Sequence, residues 1–460
     1  MNLIFMTNVA PKFMRSYLDK LFYIFSAVVS LVGLNVNFGV TLYLSRLFIA
    51  IFLIGLLISL SVRGPSYRLY INKLAAVFSI ILALILIQHF MSVIISERVE
   101  AGLRQILIYS AVMILFIIIL SINLQISTII KGLKIFLAVG FFQGCYGIYQ
   151  VFGGPFGLPT YQSFMFWPTA NDKTVDGFLF SGVYKLFRAN GFFPGDVSHY
   201  AAYMSTIIVL AIVFVLINSR SKYLKIGLFI SVLALLLSLS RSGLLALLLF
   251  GLPTLFILIV KLSVLPKKIY LRFFSYLSGV IILLMFFGAA MGEALGIDIS
   301  NLFDVIIRRL NDLVNVGADK QGSMGIHILT RLMAVDAVSL NPMFGVGLGV
   351  NTSPWFSEAY NGDWTGSHSH HLDILGQTGI VGAILEWFFM LMVGHYMWRG
   401  LKLKEALFDE RLILAGLFSI FILIIFGNLF YHYYLNDFVW YFSATGIALS
   451  RAMLIKYSKT

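Results

Sequence analysis

The feature that most limits how this chain can fold is a series of apolar runs, each about 20 residues long, recurring from end to end. They centre on 20–36, 41–62, 73–96, 103–122, 132–153, 197–218, 223–240, 242–262, 270–291, 372–397, 411–431 and 436–455. A helix of that length crosses the hydrocarbon of a bilayer, and inside it a helix satisfies its own backbone polar groups. With 60% hydrophobic residues and a mean hydropathy of +0.93, no soluble interior could hide this much apolar surface. The expected fold class is an all-α polytopic membrane protein of about twelve transmembrane helices, a single integral domain over 1–460 that takes the lipid bilayer as its solvent. The seventh and eighth runs are separated only by SLSRSG, which reads as a tight hairpin.

Charge then sets orientation. Lysines and arginines gather in alternate connections: Lys12, Arg15 and Lys20; Arg63, Arg68 and Lys73; Lys131 and Lys134; Arg220, Lys222 and Lys225; Lys261, Lys267, Lys268 and Arg272; Arg399, Lys402, Lys404 and Arg411; Arg451, Lys456 and Lys459. Cytoplasmic connections carry such an excess, so an even number of spans with both termini in the cytoplasm is expected. The net charge of +13 is thereby explained by topology and needs no nucleic-acid partner. The basic N-terminus lacks the short apolar core and small-residue cleavage site of a signal peptide, so the first span is expected to remain as an anchor. Cys145 is the only cysteine, which excludes an intrachain disulfide, and its apolar surroundings read it as a small buried hydrophobe.

Two outer segments are long, 154–196 and 292–371, the second lying between the ninth and tenth spans. Long connections in compact proteins usually serve function. Both are rich in apolar and aromatic residues, among them Phe164, Phe166, Trp167, Phe192 and Phe193, and are expected to lie against the membrane surface. Within the second, 322–340 has helical spacing of apolar residues and is followed by the Pro- and Gly-rich NPMFGVGLG. The expectation is an amphipathic helix along the outer face, ending in a turn that approaches the site.

The stretch Gly366–Gly382, GSHSHHLDILGQTGIVG, places His368, His370 and His371 in a polar turn that runs into an apolar helix. A titratable cluster at the mouth of a membrane helix suits proton transfer. The same residues admit two other readings: a metal site completed by Asp373 or a distant ligand, and a helix cap in which Ser369 and a histidine satisfy backbone groups. His199 and His432 read as satisfied polar groups of the bundle. Among the outward basic residues, Arg188, Arg241 and Arg331 stand beside spans or in the outer helix. A guanidinium near hydrocarbon is costly unless paired, and its planar fork matches phosphate oxygens. These arginines could clamp a diphosphate, or they could pair with carboxylates such as Asp196 or Asp336 or snorkel to lipid headgroups; pairing or snorkelling is the reading preferred for Arg308 and Arg309. No P-loop, dinucleotide fingerprint or zinc-protease motif occurs.

Taken in chain order, four elements resemble the O-antigen polymerase and ligase superfamily. His368-Ser369, nine residues, Gly379, two residues, Gly382 is similar to its histidine signature. Arg241 with Leu245 resembles its Arg-xxx-Leu element, and Arg331 with the following NPMFGVGLG resembles its outer helix and Pro-x-x-Gly-x-Gly turn. Arg188-Ala-Asn-Gly looks like the arginine that precedes the middle spans. Ser369 stands where Asn is frequent, and two further histidines follow.

The resemblance implies a GT-C-type glycosyltransferase of the bacterial inner membrane, working at the periplasmic face without metal or other cofactor. Its donor would be a glycan on undecaprenyl diphosphate. Arg188, Arg241 and Arg331, with Asn190 and His370 beside them, would hold the diphosphate, and His368 would orient or deprotonate an acceptor hydroxyl. An acceptor glycan is implied as the second substrate, and a chain-length regulator is a partner such enzymes can take. The preferred activity is a polysaccharide polymerase adding to another lipid-linked repeat, because the 154–196 segment offers aromatic surface for a second glycan. The alternative is a ligase moving the glycan to lipid A-core or protein. A transporter is the third reading; it should place ionisable residues mid-membrane beside broken helices.

Overall fold

The computed structural model describes residues 12–31, 35–37, 41–43, 46–51, 72–96, 99–153, 180–181, 186–187, 189–193, 197–238, 240–261, 275, 279, 323–348, 367, 369–430 and 436–457. All but two residues of the ninth expected run, most of the second and most of both outer segments lie outside the described residues, as do Arg188, His368 and His432.

The described elements follow the apolar runs closely. They are α1 (Lys12–Ser30), a hairpin of β1 (Asn35–Asn37) and β2 (Thr41–Tyr43), α2 (Lys73–Ile94), α3 (Val99–Ser121), α4 (Ile126–Gly153) and a second hairpin of β3 (Phe180–Ser181) and β4 (Leu186–Phe187). Next come α5 (Val197–Ile217), α6 (Lys222–Leu237) and α7 (Arg241–Ala246), which continues through a π turn (Leu247–Gly251) into α8 (Leu252–Lys261). The chain closes with α9 (Ser323–Leu340), α10 (His370–Leu401), α11 (Phe408–Gly427) and α12 (Asp437–Tyr457). Eight of the described helical stretches are long and apolar enough to cross a membrane. This is a helical membrane protein, with two short hairpins as the non-helical secondary structure among the described residues.

Three expectations need correction. The first two runs do not keep their expected limits: α1 stops at Ser30, and Asn35–Asn37 pairs antiparallel with Thr41–Tyr43 before helix resumes at Arg46. Asn35 and Asn37 are poor helix formers and stand where the helix gives way to strand. The seventh run forms α6 of only 16 residues, which at about 1.5 Å per residue falls short of the hydrocarbon thickness. Cys145 is exposed on α4, not buried.

The bundle is built around α5, 94% of whose apolar window is buried. A helix apolar on every face has no side for water and belongs in the interior. Close approach is made by glycines: Gly243 and Gly251 lie against Ala201 and Val209 of α5, so α7 and α8 run parallel to it. Gly416 of α11 lies against Val213, and Leu423 beside Gly251, so α11 runs antiparallel to α5. Small residues at such contacts let helix backbones approach where lipid offers no hydrophobic drive. Aromatic stacking joins the remaining helices, with Phe136 on Tyr441 at 5.2 Å and Phe389 on Trp440 at 5.3 Å between ring centroids.

Candidate active site

The strand and helix directions bring several distant segments to one end of the bundle. The start of α5, the end of α6, the start of α7 and the end of α11 all lie there, as the glycine contacts require. The turn at 189–193, adjacent to Arg188, is tied to this end: Ala189 N–H donates to Leu237 O at 3.0 Å, four residues before Arg241. Two glutamines of α4 hold the turn from the other side. Asn190 N–H donates to Gln150 Oε1 at 3.0 Å, Gln150 Nε2 donates to Gly191 O at 2.9 Å, and Phe192 N–H donates to Gln143 Oε1 at 3.2 Å. Asn190 itself is buried and its Nδ2 donates to Phe193 O, so its amide serves the turn. Arg241 opens α7 after a connection of three residues, Ser238 to Ser240, which is the tight hairpin expected.

The histidine turn and Arg331 meet on the turn that follows α11. His370 N–H donates to Asn428 O at 2.9 Å, and Arg331 Nη2 donates to Leu429 O at 3.1 Å. Arg331 is half-buried on α9, its Nε is buried without a hydrogen-bond partner, and no carboxylate pairs with it among the described residues. Burial pushes its pKa below the ordinary arginine value. A guanidinium that has lost water and has gained only one carbonyl retains capacity for an anion.

The described histidines of the cluster point inward. His371 Nδ1 accepts from Trp387 Nε1–H at 3.3 Å, which leaves Nε2 as the donor to Ile425 O at 3.0 Å. His370 is fully buried, with Nε2 3.0 Å from Glu386 Oε2. The expected Ser369 side-chain cap is not made, although Ser369 occupies the cap position. Asp373 takes part of that role by accepting Ser367 N–H at 2.8 Å.

The helix that carries this turn is broken. Gly379 has φ 68°, ψ −172°, and the NPMFGVGLG turn fills the gap. Val346 and Gly347 N–H donate to Gly376 O and Gln377 O at 3.0 and 3.1 Å, while Ile380 and Val381 N–H donate to Pro342 O and Met343 O at 2.8 and 3.4 Å. From α2, Ser92 Oγ donates to Gln377 O at 2.6 Å and Gln88 Nε2 to Thr378 O at 2.9 Å. Both glycine motifs are thereby explained: a Cβ on Gly345 would stand 2.3 Å from the Gln377 carbonyl carbon, and one on Gly379 2.4 Å from that of Met343. The turn does approach the histidine helix, as its composition suggested.

With that geometry in place, the comparison with known families is specific. Residues 226–386 match the O-Antigen ligase family, Wzy_C. The O-antigen ligase match runs from α6 to Glu386 in α10, so it includes Arg241, Arg331, the NPMFGVGLG turn and the histidine signature. It agrees with the resemblance at three of the four motifs, the Arg188 element lying before the matched residues, and it supports a glycosyltransferase-like membrane enzyme of O-antigen processing. No curated protein matches the chain.

Two residues now stand out that sequence reading passed over. Glu386 and His89 are buried half-way along α10 and near the end of α2, with His89 Nε2 3.4 Å from Glu386 Oε1. Their signal was present: a carboxylate inside IVGAILEWFFMLMVG is costly in a span and marks a functional or structural pairing.

Proposed function

We propose that the chain is a polysaccharide polymerase of the bacterial inner membrane, transferring a glycan from undecaprenyl diphosphate to a second lipid-linked repeat. The observation that carries this reading is the meeting of Arg331 and the histidine turn on Asn428 and Leu429, at the end of the bundle where α7 begins with Arg241. Three arginines, Arg188, Arg241 and Arg331, hold the diphosphate, with His370 and Asn190 shaping the turns that present them. His368 accepts the proton of the acceptor hydroxyl. The inward engagement of both His370 and His371 favours His368 over His370 for that role.

The reaction balances without a nucleotide. The acceptor oxygen forms a bond to the anomeric carbon as the bond from that carbon to the phosphate oxygen breaks, with inversion. The electron pair leaves on the diphosphate, whose charge the guanidinia stabilise, and the hydroxyl proton passes to His368. The site faces the periplasm, where the lipid diphosphate bond supplies the driving energy.

The match to the O-Antigen ligase family favours a second reading, transfer of the finished glycan to lipid A-core or protein by the same site. A transporter is weakened by the way the broken helix is filled. Carbonyls 376 to 378 at the break accept from Val346, Gly347, Ser92 and Gln88, so the protein itself occupies what an ion would need. Deletion of the gene followed by electrophoresis of surface glycan separates these outcomes. Core plus one repeat supports the polymerase; bare core with accumulated lipid-linked polymer identifies the ligase; an unaltered ladder overturns both.

A further inference from the structure

We propose that Glu386 is a positioning residue: its carboxylate, through His370, holds the Ser367–Asp373 turn in place across the break in α10. This rests on the reading that His368, within that turn, handles the acceptor proton. His370 belongs to the half of α10 before Gly379 and Glu386 to the half after it, so their 3.0 Å contact is a strut spanning the break. His89 braces the strut from α2, on the helix that also supplies Gln88 and Ser92 to carbonyls at the break. The Tyr109 ring of α3 lies against the His89 ring at 4.5 Å between centroids. Glu386, His89 and His370 are each buried at 1% exposure or less.

Such a cluster has a physical reason to be rigid. A carboxylate with two imidazoles is neutral when one imidazole carries a proton, and removing the carboxylate leaves two buried imidazoles without their shared partner. A broken helix has lost the hydrogen bonds that normally transmit its axis from one half to the other. The Glu386–His370 contact, the Trp387–His371 hydrogen bond and the turn at 341–348 replace them. The first anchor on the histidine turn is the Asn428 carbonyl, which holds backbone; Glu386 adds a contact that ties the His370 side chain to the far half of the same helix.

The test uses the purified full chain in lipid nanodiscs, comparing wild type, Glu386→Gln, His370→Gln and the double variant. Two readouts are taken: steady-state turnover of a lipid-linked oligosaccharide, and hydrogen exchange of the Ser367, His370 and Asp373 amides. Glu386→Gln is expected to speed exchange at those amides and to lower kcat by up to about a hundredfold, the cost of a misplacement on the order of 1 Å, with KM for the donor unchanged. The double variant, which leaves no unpaired charge and guards against simple unfolding, should lose no more activity than either single change, because both remove one strut. Unchanged exchange, a rise in KM with kcat intact, or additive losses would each overturn the proposal. If wild type transfers no glycan, the enzyme reading fails, and the strut is still decided by exchange alone.

Discussion

Arg331 donates to the Leu429 carbonyl at 3.1 Å, linking residues 98 positions apart. The neighbouring carbonyl, of Asn428, holds the backbone of His370. The turn that follows α11 is therefore a shared bracket for the outer helix and the histidine turn. A change on one side of it is felt on the other.

The first prediction concerns the charge on Arg331. Its half-buried guanidinium has one carbonyl partner and a lowered pKa from desolvation, so the folded protein bears a cost for keeping it charged. Arg331→Met should leave the thermal midpoint unchanged or raise it by the equivalent of about 1 kcal/mol, while donor binding and polymer formation fall sharply. Arg331→Lys should restore only part of the activity, because an ammonium lacks the planar fork. A destabilised but active Met variant would contradict this.

Gly379 gives the second. Its φ of 68° is in the left-handed region, and a Cβ would stand 2.4 Å from the Met343 carbonyl carbon. Gly379→Ala should cost roughly 1–3 kcal/mol from backbone strain before the clash is counted. Gly376→Ala, whose Cβ would meet the Ala334 oxygen at 3.2 Å, should be milder. Thermal unfolding in detergent, or yield of folded protein, measures the order of the two.

The turn beside Arg188 supplies the third. Gln143→Leu removes the acceptor of Phe192 N–H and the donor to Ser30 O, which it reaches at 2.8 Å. Leaving a buried amide unpaired costs about 1–3 kcal/mol. If Arg188 holds the donor, KM for the lipid-linked glycan should also rise. Normal stability with normal KM would remove the turn from the site.

The fourth addresses proton handling and metal together. His368→Ala should abolish the glycan ladder while the protein remains folded and inserted. Wild-type turnover should persist in excess chelator, because in the proposed mechanism the arginines stabilise the leaving diphosphate. Normal ladders from the alanine variant would reject the base assignment, and loss of activity restored by a divalent cation would reinstate a metal.

Much of the helical scaffold was legible because bilayer crossing imposes a length. The runs at 73–96, 132–153, 197–218 and 436–455 became α2, α4, α5 and α12 with limits shifted by only a few residues, apart from an earlier start to α4. The failures have local causes. Asn35 and Asn37 sit in a strand where hydropathy expected helix, and an apolar run carrying Ser at both ends made the short α6. Hydropathy averages over a window and does not register a residue that redirects the backbone.

The candidate site was legible to a different depth. Arg331 and the Gly-rich turn could be singled out by residue type, and the histidine cluster by density. The direction of each imidazole could not. His371 faces Ile425 and Trp387, and His370 faces Glu386, a residue that hydropathy absorbed into an ordinary span. A ring's hydrogen-bond partner depends on which helix lies beside it, and nothing in a local pattern specifies that.

The chain's own order of residues determined that it must be helical and live in a bilayer, because apolar runs of spanning length leave backbone polar groups no other refuge. It also determined where glycine would allow two backbones to touch. Only the packed bundle decided that the turn at 341–348 would fill the break at Gly379, that α2 would reach carbonyls 290 positions away, and that Glu386 would find His370. The reason is the solvent: in hydrocarbon a buried polar atom must find a protein partner, and which partner it finds is a property of the neighbours that packing brings to it.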